Sequence, residues 1–76
     1  MVVAYVLITA NTGDADRLKR DVAAVDGVTD VHIVAGDVDL IARVEVEDTP
    51  AVKDVVVTAV QSIDGVAETR TYLTMD

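Results

Sequence analysis

Few side chains in this 76-residue chain are of types that do chemistry, and their spacing narrows what they could do. His32 is the single histidine. It lies mid-strand between Val31 and Ile33, and acid–base work would need a nucleophile or an orienting partner beside it. None stands at a telling spacing, so His32 reads as a structural or surface residue. Ser62, the single serine, lacks the flanking glycines of a nucleophile elbow. Asp37 and Asp39 project to the same side of an extended chain, because strand side chains alternate. Two carboxylates are too few for calcium, which takes about six to eight oxygens, and no EF-hand loop is present. Thr69 and Thr71 share a side of another extended segment, and paired hydroxyls beside backbone amides can hold a carboxylate or an amino group. The absence of cysteine excludes thiolate zinc sites, Fe–S clusters, disulfides and a Cys nucleophile. Gly13, Gly27, Gly36 and Gly65 are isolated, so there is no phosphate-cradling loop. The expectation is a binding protein rather than an enzyme, with no resident cofactor or metal.

The elements that must position these residues follow from periodicity. Val3 to Thr9 is a β-branched and aromatic strand. Asn11-Thr12-Gly13-Asp14 breaks it, and Asp14 can cap a helix in which Ala15, Leu18, Val22 and Val25 form the apolar stripe. Gly27 stops that helix and leads into a second strand, Val28 to Ala35. Gly36-Asp37 reads as a tight turn. In the third strand Leu40, Ala42, Val44 and Val46 face one way, and Ile41, Arg43, Glu45 and Glu47 the other. Thr49-Pro50 opens a second helix with Pro at its first position. Its stripe is Val52, Val55, Val56, Ala59, Val60 and Ile63, although the branched run Val55 to Thr58 has poor helix propensity. Gly65 ends it, and the last strand runs from Val66 to about Met75.

Ala24-Val25-Asp26-Gly27-Val28 recurs as Ser62-Ile63-Asp64-Gly65-Val66, which makes the chain two copies of one βαβ unit. Two right-handed crossovers over the same face predict a ferredoxin-like βαββαβ sandwich, a four-stranded antiparallel sheet with two helices on one face. The first strand is apolar on both sides, so the uncovered face needs a second cover. A second copy, packed sheet to sheet in a two-fold dimer, supplies it. Seventeen valines, ten alanines and only two aromatics, Tyr5 and Tyr72, make a thin core, which also favours oligomerisation.

Fourteen acids against six bases give a formal net charge of −8. Such a surface repels a phosphate polyanion, because affinity for nucleic acid rests on Lys and Arg. Asp outnumbers Glu eleven to three, and Lys19 and Lys53 are the only lysines. This composition resembles that of proteins from salt-loving archaea, whose surface acids are screened at molar salt, where the Debye length is about 3 Å. The apolar run Val2 to Ile8 is too short to span a bilayer, and no signal peptide, basic cluster or lipidation motif accompanies it. A cytoplasmic protein without membrane or direct nucleic-acid partners is expected.

Val3-Ala4-Tyr5-Val6-Leu7-Ile8, Val25-Asp26-Gly27-Val28, the hairpin Gly36-Asp37-Val38-Asp39-Leu40-Ile41 and Ile63-Asp64-Gly65-Val66 with Thr69-Arg70-Thr71 together resemble the Lrp/AsnC family. They match its C-terminal effector module, the RAM domain, over residues 1–76. The resemblance implies sheet-to-sheet dimers, octamer-like rings of dimers, and a free amino acid bound between dimers. Gly36, Asp37, Val38 and Asp39 in the hairpin, with Thr69 and Thr71, match the effector-site positions. Asp39 would accept the ligand's ammonium, while Thr69, Thr71 and hairpin amides would serve its other polar groups. Asn11, Thr12 and Gly13 would approach from a neighbouring subunit. Family members commonly carry Tyr where this chain has Val38. They also carry the module behind a helix-turn-helix domain, and here the first strand begins at Met1. The implied protein is a stand-alone module, sensing an amino acid or serving as a ligand-independent assembly partner of full-length regulators.

Overall fold

The computed structural model describes all 76 residues, Met1–Asp76. The elements run β1 (Val2–Ala10), α1 (Ala15–Ala23), β2 (Val28–Ile33), β3 (Leu40–Val46), α2 (Thr49–Lys53), a π-helical segment (Asp54–Val60) and β4 (Val66–Leu73). The sheet is antiparallel throughout, in the order β2-β3-β1-β4. This is the ferredoxin-like βαββαβ arrangement.

Each element has a local cause. Asp14 caps α1, its carboxylate accepting from the Arg17 N–H at 3.1 Å. Leu18 and Val22, one turn apart, bury the inner stripe. The helix ends at Ala23, so Val25 belongs to the following turn, and Gly27 at φ +96° reverses the chain into β2. Asp48 caps α2 by accepting from the Ala51 N–H at 2.9 Å, with Pro50 in the first turn.

The internal repeat holds to the hydrogen bond. Val28 N–H donates to Val25 O at 3.1 Å and Val66 N–H to Ile63 O at 3.2 Å. The Gly27 carbonyl accepts from Glu45 N–H, and the Gly65 carbonyl accepts from Asn11 N–H. Each copy thus stitches its helix-to-strand turn to the end of a central strand of the other copy.

The core lies between sheet and helices. Ala4, Val6 and Ile8 of β1 and Leu40, Ala42 and Val44 of β3 are fully buried, against Leu18, Val22, Val52, Val56 and Val60. Burying a Val or Leu side chain stabilises by about 1.5–3 kcal/mol. The alternate residues Val3, Tyr5 and Leu7 share the opposite face with Ile41, Arg43 and Glu45, in register.

Two expectations are corrected. The connection between β2 and β3 is a six-residue loop, Val34 to Asp39, rather than a tight turn at Gly36-Asp37. Val38 is drawn inward to 9% exposure, and Asp39 bonds across to β1; both take chain that a two-residue turn would not supply. The second helix winds as π from Asp54 onward, with Gln61 N–H donating to Val56 O at 2.9 Å. Branched side chains crowd an α turn at the i−3 and i−4 positions, and four successive ones at 55–58 meet that crowding.

Candidate functional site

Three connections meet at the end of the sheet where β1 finishes: the 34–39 loop, the 11–14 loop and the turn before β4. Asp39 organises this end. Its N–H donates to Ile8 O at 2.9 Å, its carbonyl accepts from Val34 N–H at 2.9 Å, and Oδ2 accepts from Ala10 N–H at 2.8 Å. The β3 ladder begins at Leu40, opposite Ile8, so the carboxylate extends the pairing of β1 by one rung. On the other edge of β1 the register with β4 shifts between Thr9 and Ala10.

Gly36 and Asp37 are exposed at the loop tip, while the Val38 side chain is buried. Thr12 is half-buried between exposed Asn11 and Gly13. Gly65, at φ +102°, leaves little room for a side chain, since a Cβ there would lie 2.9 Å from Thr12 Cγ2 and 3.0 Å from Arg17 Nη2 and one of these would have to shift. Arg17 Nη1 donates to the Asp64 carbonyl at 2.9 Å, fastening the same turn.

Thr69 and Thr71 pair with Ile8 and Val6 and therefore share the helix-side face of edge strand β4. They border a groove of about 360 Å³ between β4 and the second helix, with Val52 and Val56 behind it and Lys53 and Gln61 on the opposite rim. Gln61 Nε2 donates to Thr69 Oγ1 at 2.7 Å. No motif or spacing in the sequence marks Gln61 or Lys53 as part of a site. The hairpin residues do not border the groove. Asp39 and Thr69 flank Ile8 from opposite edges of β1, about two strand spacings or ~10 Å apart.

The uncovered face is part apolar and part charged. Tyr5 stands opposite Tyr72, Leu7 opposite Arg70 and Ile41 opposite His32. Arg43 Nη1 donates to Glu45 Oε2 at 2.8 Å and to Thr29 Oγ1 at 2.9 Å. The Glu45 contact, and secondarily Tyr5, raises the Arg43 pKa against the opposing effect of desolvation. A raised guanidinium pKa adds stability that is fully present below the ordinary value and lost only above it. Arg43 therefore brings no pH dependence near neutrality. His32 is exposed, and no three His, Asp or Glu side chains are grouped so as to hold a metal ion. No helix is long and apolar enough to cross a membrane.

A family model, the Lrp/AsnC ligand binding domain, matches residues 3–76. The chain belongs to this family. The leucine-responsive regulatory protein of Salmonella typhimurium is 31% identical over 78 residues, covering 99% of this chain and 48% of the relative. The chain thus spans about half the length of this curated relative. A crystal structure from Thermus thermophilus superposes with a TM-score of 0.93 at 33% identity, covering 100% of this chain and 95% of that one. A Neisseria meningitidis transcriptional regulator, solved as an L-Met complex, has a TM-score of 0.86 at 17% identity, covering 99% of this chain and 50% of that one. At that identity the likeness shows the Lrp/AsnC fold alone. The curated relatives bear the names of regulators, a leucine-responsive regulatory protein and an HTH-type transcriptional regulator of Pyrococcus abyssi.

Proposed function

We propose that this chain is an effector-sensing module of the Lrp/AsnC type, which binds a free amino acid where protomers meet and modulates transcription without reading DNA itself. The match of the ligand-binding domain to residues 3–76 carries this reading. The L-Met complex of the Neisseria regulator supports the ligand class. The net charge of −8 supports a role away from the nucleic acid, and the acid-rich surface suits molar salt in a haloarchaeal cytoplasm. The Thermus chain, matched over 95% of its length, is itself little more than this one module.

In this reading Asp39 takes the ammonium, Thr69 and Thr71 take other polar groups, and Gly36, Asp37 and Val38 present the loop backbone. Asn11, Thr12 and Gly13 come from a neighbour. The ammonium and carboxylate of an α-amino acid share one carbon, whereas Asp39 and Thr69 of one protomer flank β1. That separation favours a site completed by a second protomer in a ring of sheet-to-sheet dimers. Binding then shifts assembly through its different affinities for two states.

Calorimetric titration with each of the twenty amino acids in molar KCl tests this. One of them should bind the wild type, and Asp39→Asn, which keeps an acceptor for Ala10 N–H, should bind it at least about tenfold more weakly, as expected for a lost charged hydrogen bond. No binding by any amino acid would overturn the reading. A second reading, a ligand-independent partner of full-length regulators, is favoured by the inward turn of Val38 and by the engagement of Asp39 with β1. Mixed oligomers with a longer homologue, indifferent to all twenty, would select it.

A further inference from the structure

Gln61 enters no sequence motif, yet it makes one of the few side chain–side chain hydrogen bonds of the molecule, to Thr69 at 2.7 Å. Its placement depends on the winding of the segment before it. A π turn pairs residues five apart and an α turn residues four apart. The Gln61 N–H closes the last π turn on Val56 O. In an α turn it would pair with Val57 instead, and the side chain would swing around the helix by about 100°, the angle of one α residue. The branched run at 55–58 therefore aims the Gln61 amide at β4.

The contact sets the polarity of Thr69. A hydroxyl has one proton and two acceptor lone pairs. With Gln61 Nε2–H donating to Oγ1, one lone pair is occupied, and the hydroxyl proton is directed away from Gln61. The groove lies beside it, with the Lys53 cation on the same rim as Gln61. Both features suit the negative end of a small ligand.

We propose that Gln61 is a positioning residue that makes Thr69 a hydrogen-bond donor to the carboxylate of the bound amino acid. This rests on the effector reading above and deepens it: Asp39 of one protomer serves the ammonium, and the Gln61–Thr69 pair of another serves the carboxylate. Gln61 is exposed and its side chain makes no other hydrogen bond, so its replacement leaves the core intact.

The test compares wild type, Gln61→Glu and Gln61→Leu by calorimetry. The probes are the amino acid that binds among the twenty and its carboxamide. A Glu carboxylate can only accept, so it turns the Thr69 proton inward and sets a negative charge beside the groove. Gln61→Glu should weaken the amino acid by at least about tenfold and the carboxamide much less, narrowing the preference for the acid. Gln61→Leu should weaken the acid by about three- to tenfold. Both variants should melt within about 3 °C of wild type, as is usual for changes at the surface. A purely structural role would lower both probes together and leave their ratio unmoved. An unchanged ratio in Gln61→Glu, with the wild type still binding the amino acid, overturns the assignment of Gln61 alone. A wild type that binds none of the twenty overturns the effector reading, and this assignment with it.

Discussion

Replacing Asp39 by Ala and by Asn separates two properties of one carboxylate. Asp39→Ala leaves Ala10 N–H without the acceptor it has at 2.8 Å. A hydrogen bond to a charged group is worth about 1.5–3 kcal/mol, and each kcal/mol shifts the melting midpoint of a domain this size by roughly 4–8 °C. A fall of about 6 °C or more is expected in a thermal melt, while Asp39→Asn should stay within about 3 °C. Gly65→Ala should cost more than an ordinary surface change, about 1–3 kcal/mol for the positive φ alone, because its Cβ would also press on Thr12 and Arg17. A denaturant midpoint reads this directly. At this scale the sequence is partly legible. Thr69 with Thr71 shows as a pair because strand side chains alternate, whereas Asp37 and Asp39, expected on one side of an extended chain, part in the 34–39 loop, the first at the exposed tip and the second bonded to β1. The bond from Asp39 to Ala10, 29 positions away, leaves no mark in spacing, and the same holds for Gln61 and Thr69. The pairing of β3 beside β1 creates the first contact and the winding of the second helix creates the second, and both become visible only once the chain is folded.

The elements were the most legible level. Asp14, Pro50, Gly27 and Gly65 mark starts and turns by local chemistry, and all four stand at helix caps, first turns or helix-to-strand turns. The Asp-Gly-Val repeat carried the topology, because it shows that one βαβ unit occurs twice. The winding of the second helix was not legible. Its apolar stripe fits an α period, yet Val55 to Thr58 favour the wider turn, and a stripe of Val52, Val56 and Val60 serves both. Val57 and Thr58 are exposed, so Ala at both positions relieves the crowding without opening the core. Two such changes favour α winding by about 1 kcal/mol. Hydrogen exchange and amide shifts should show Gln61 N–H leaving Val56 O for Val57 O, with the Thr69 contact weakened. Retention of the five-residue pairing would contradict this account of the π segment. At 34–39 Gly-Asp suits a tight turn in isolation, whereas burial of Val38 and the crossing of Asp39 to β1 are tertiary demands that a local pattern does not show.

At the scale of the molecule, a small core and an unpartnered sheet face point the same way. Only 14 of 76 residues are buried, which leaves a lone protomer marginal. Tyr5 and Tyr72, 41% and 55% exposed, form a cross-strand pair on the face that the helices do not cover. Packing that face on a second copy buries the aromatics and keeps the ends of the sheets, with Asp39 and the groove beside β4, free to meet other dimers. A charge of −8 per chain opposes such assembly at low ionic strength and is screened at molar salt. On the proposed reading, salt and ligand act on the same equilibrium, the one by removing repulsion and the other by bridging protomers. The most direct test of the central claim is the mass of the protein by light scattering after size exclusion in molar KCl, alone and with each of the twenty amino acids. The account predicts dimers or rings of dimers whose mass or persistence on dilution changes with one amino acid. A fixed mass, the same with all twenty, would contradict it.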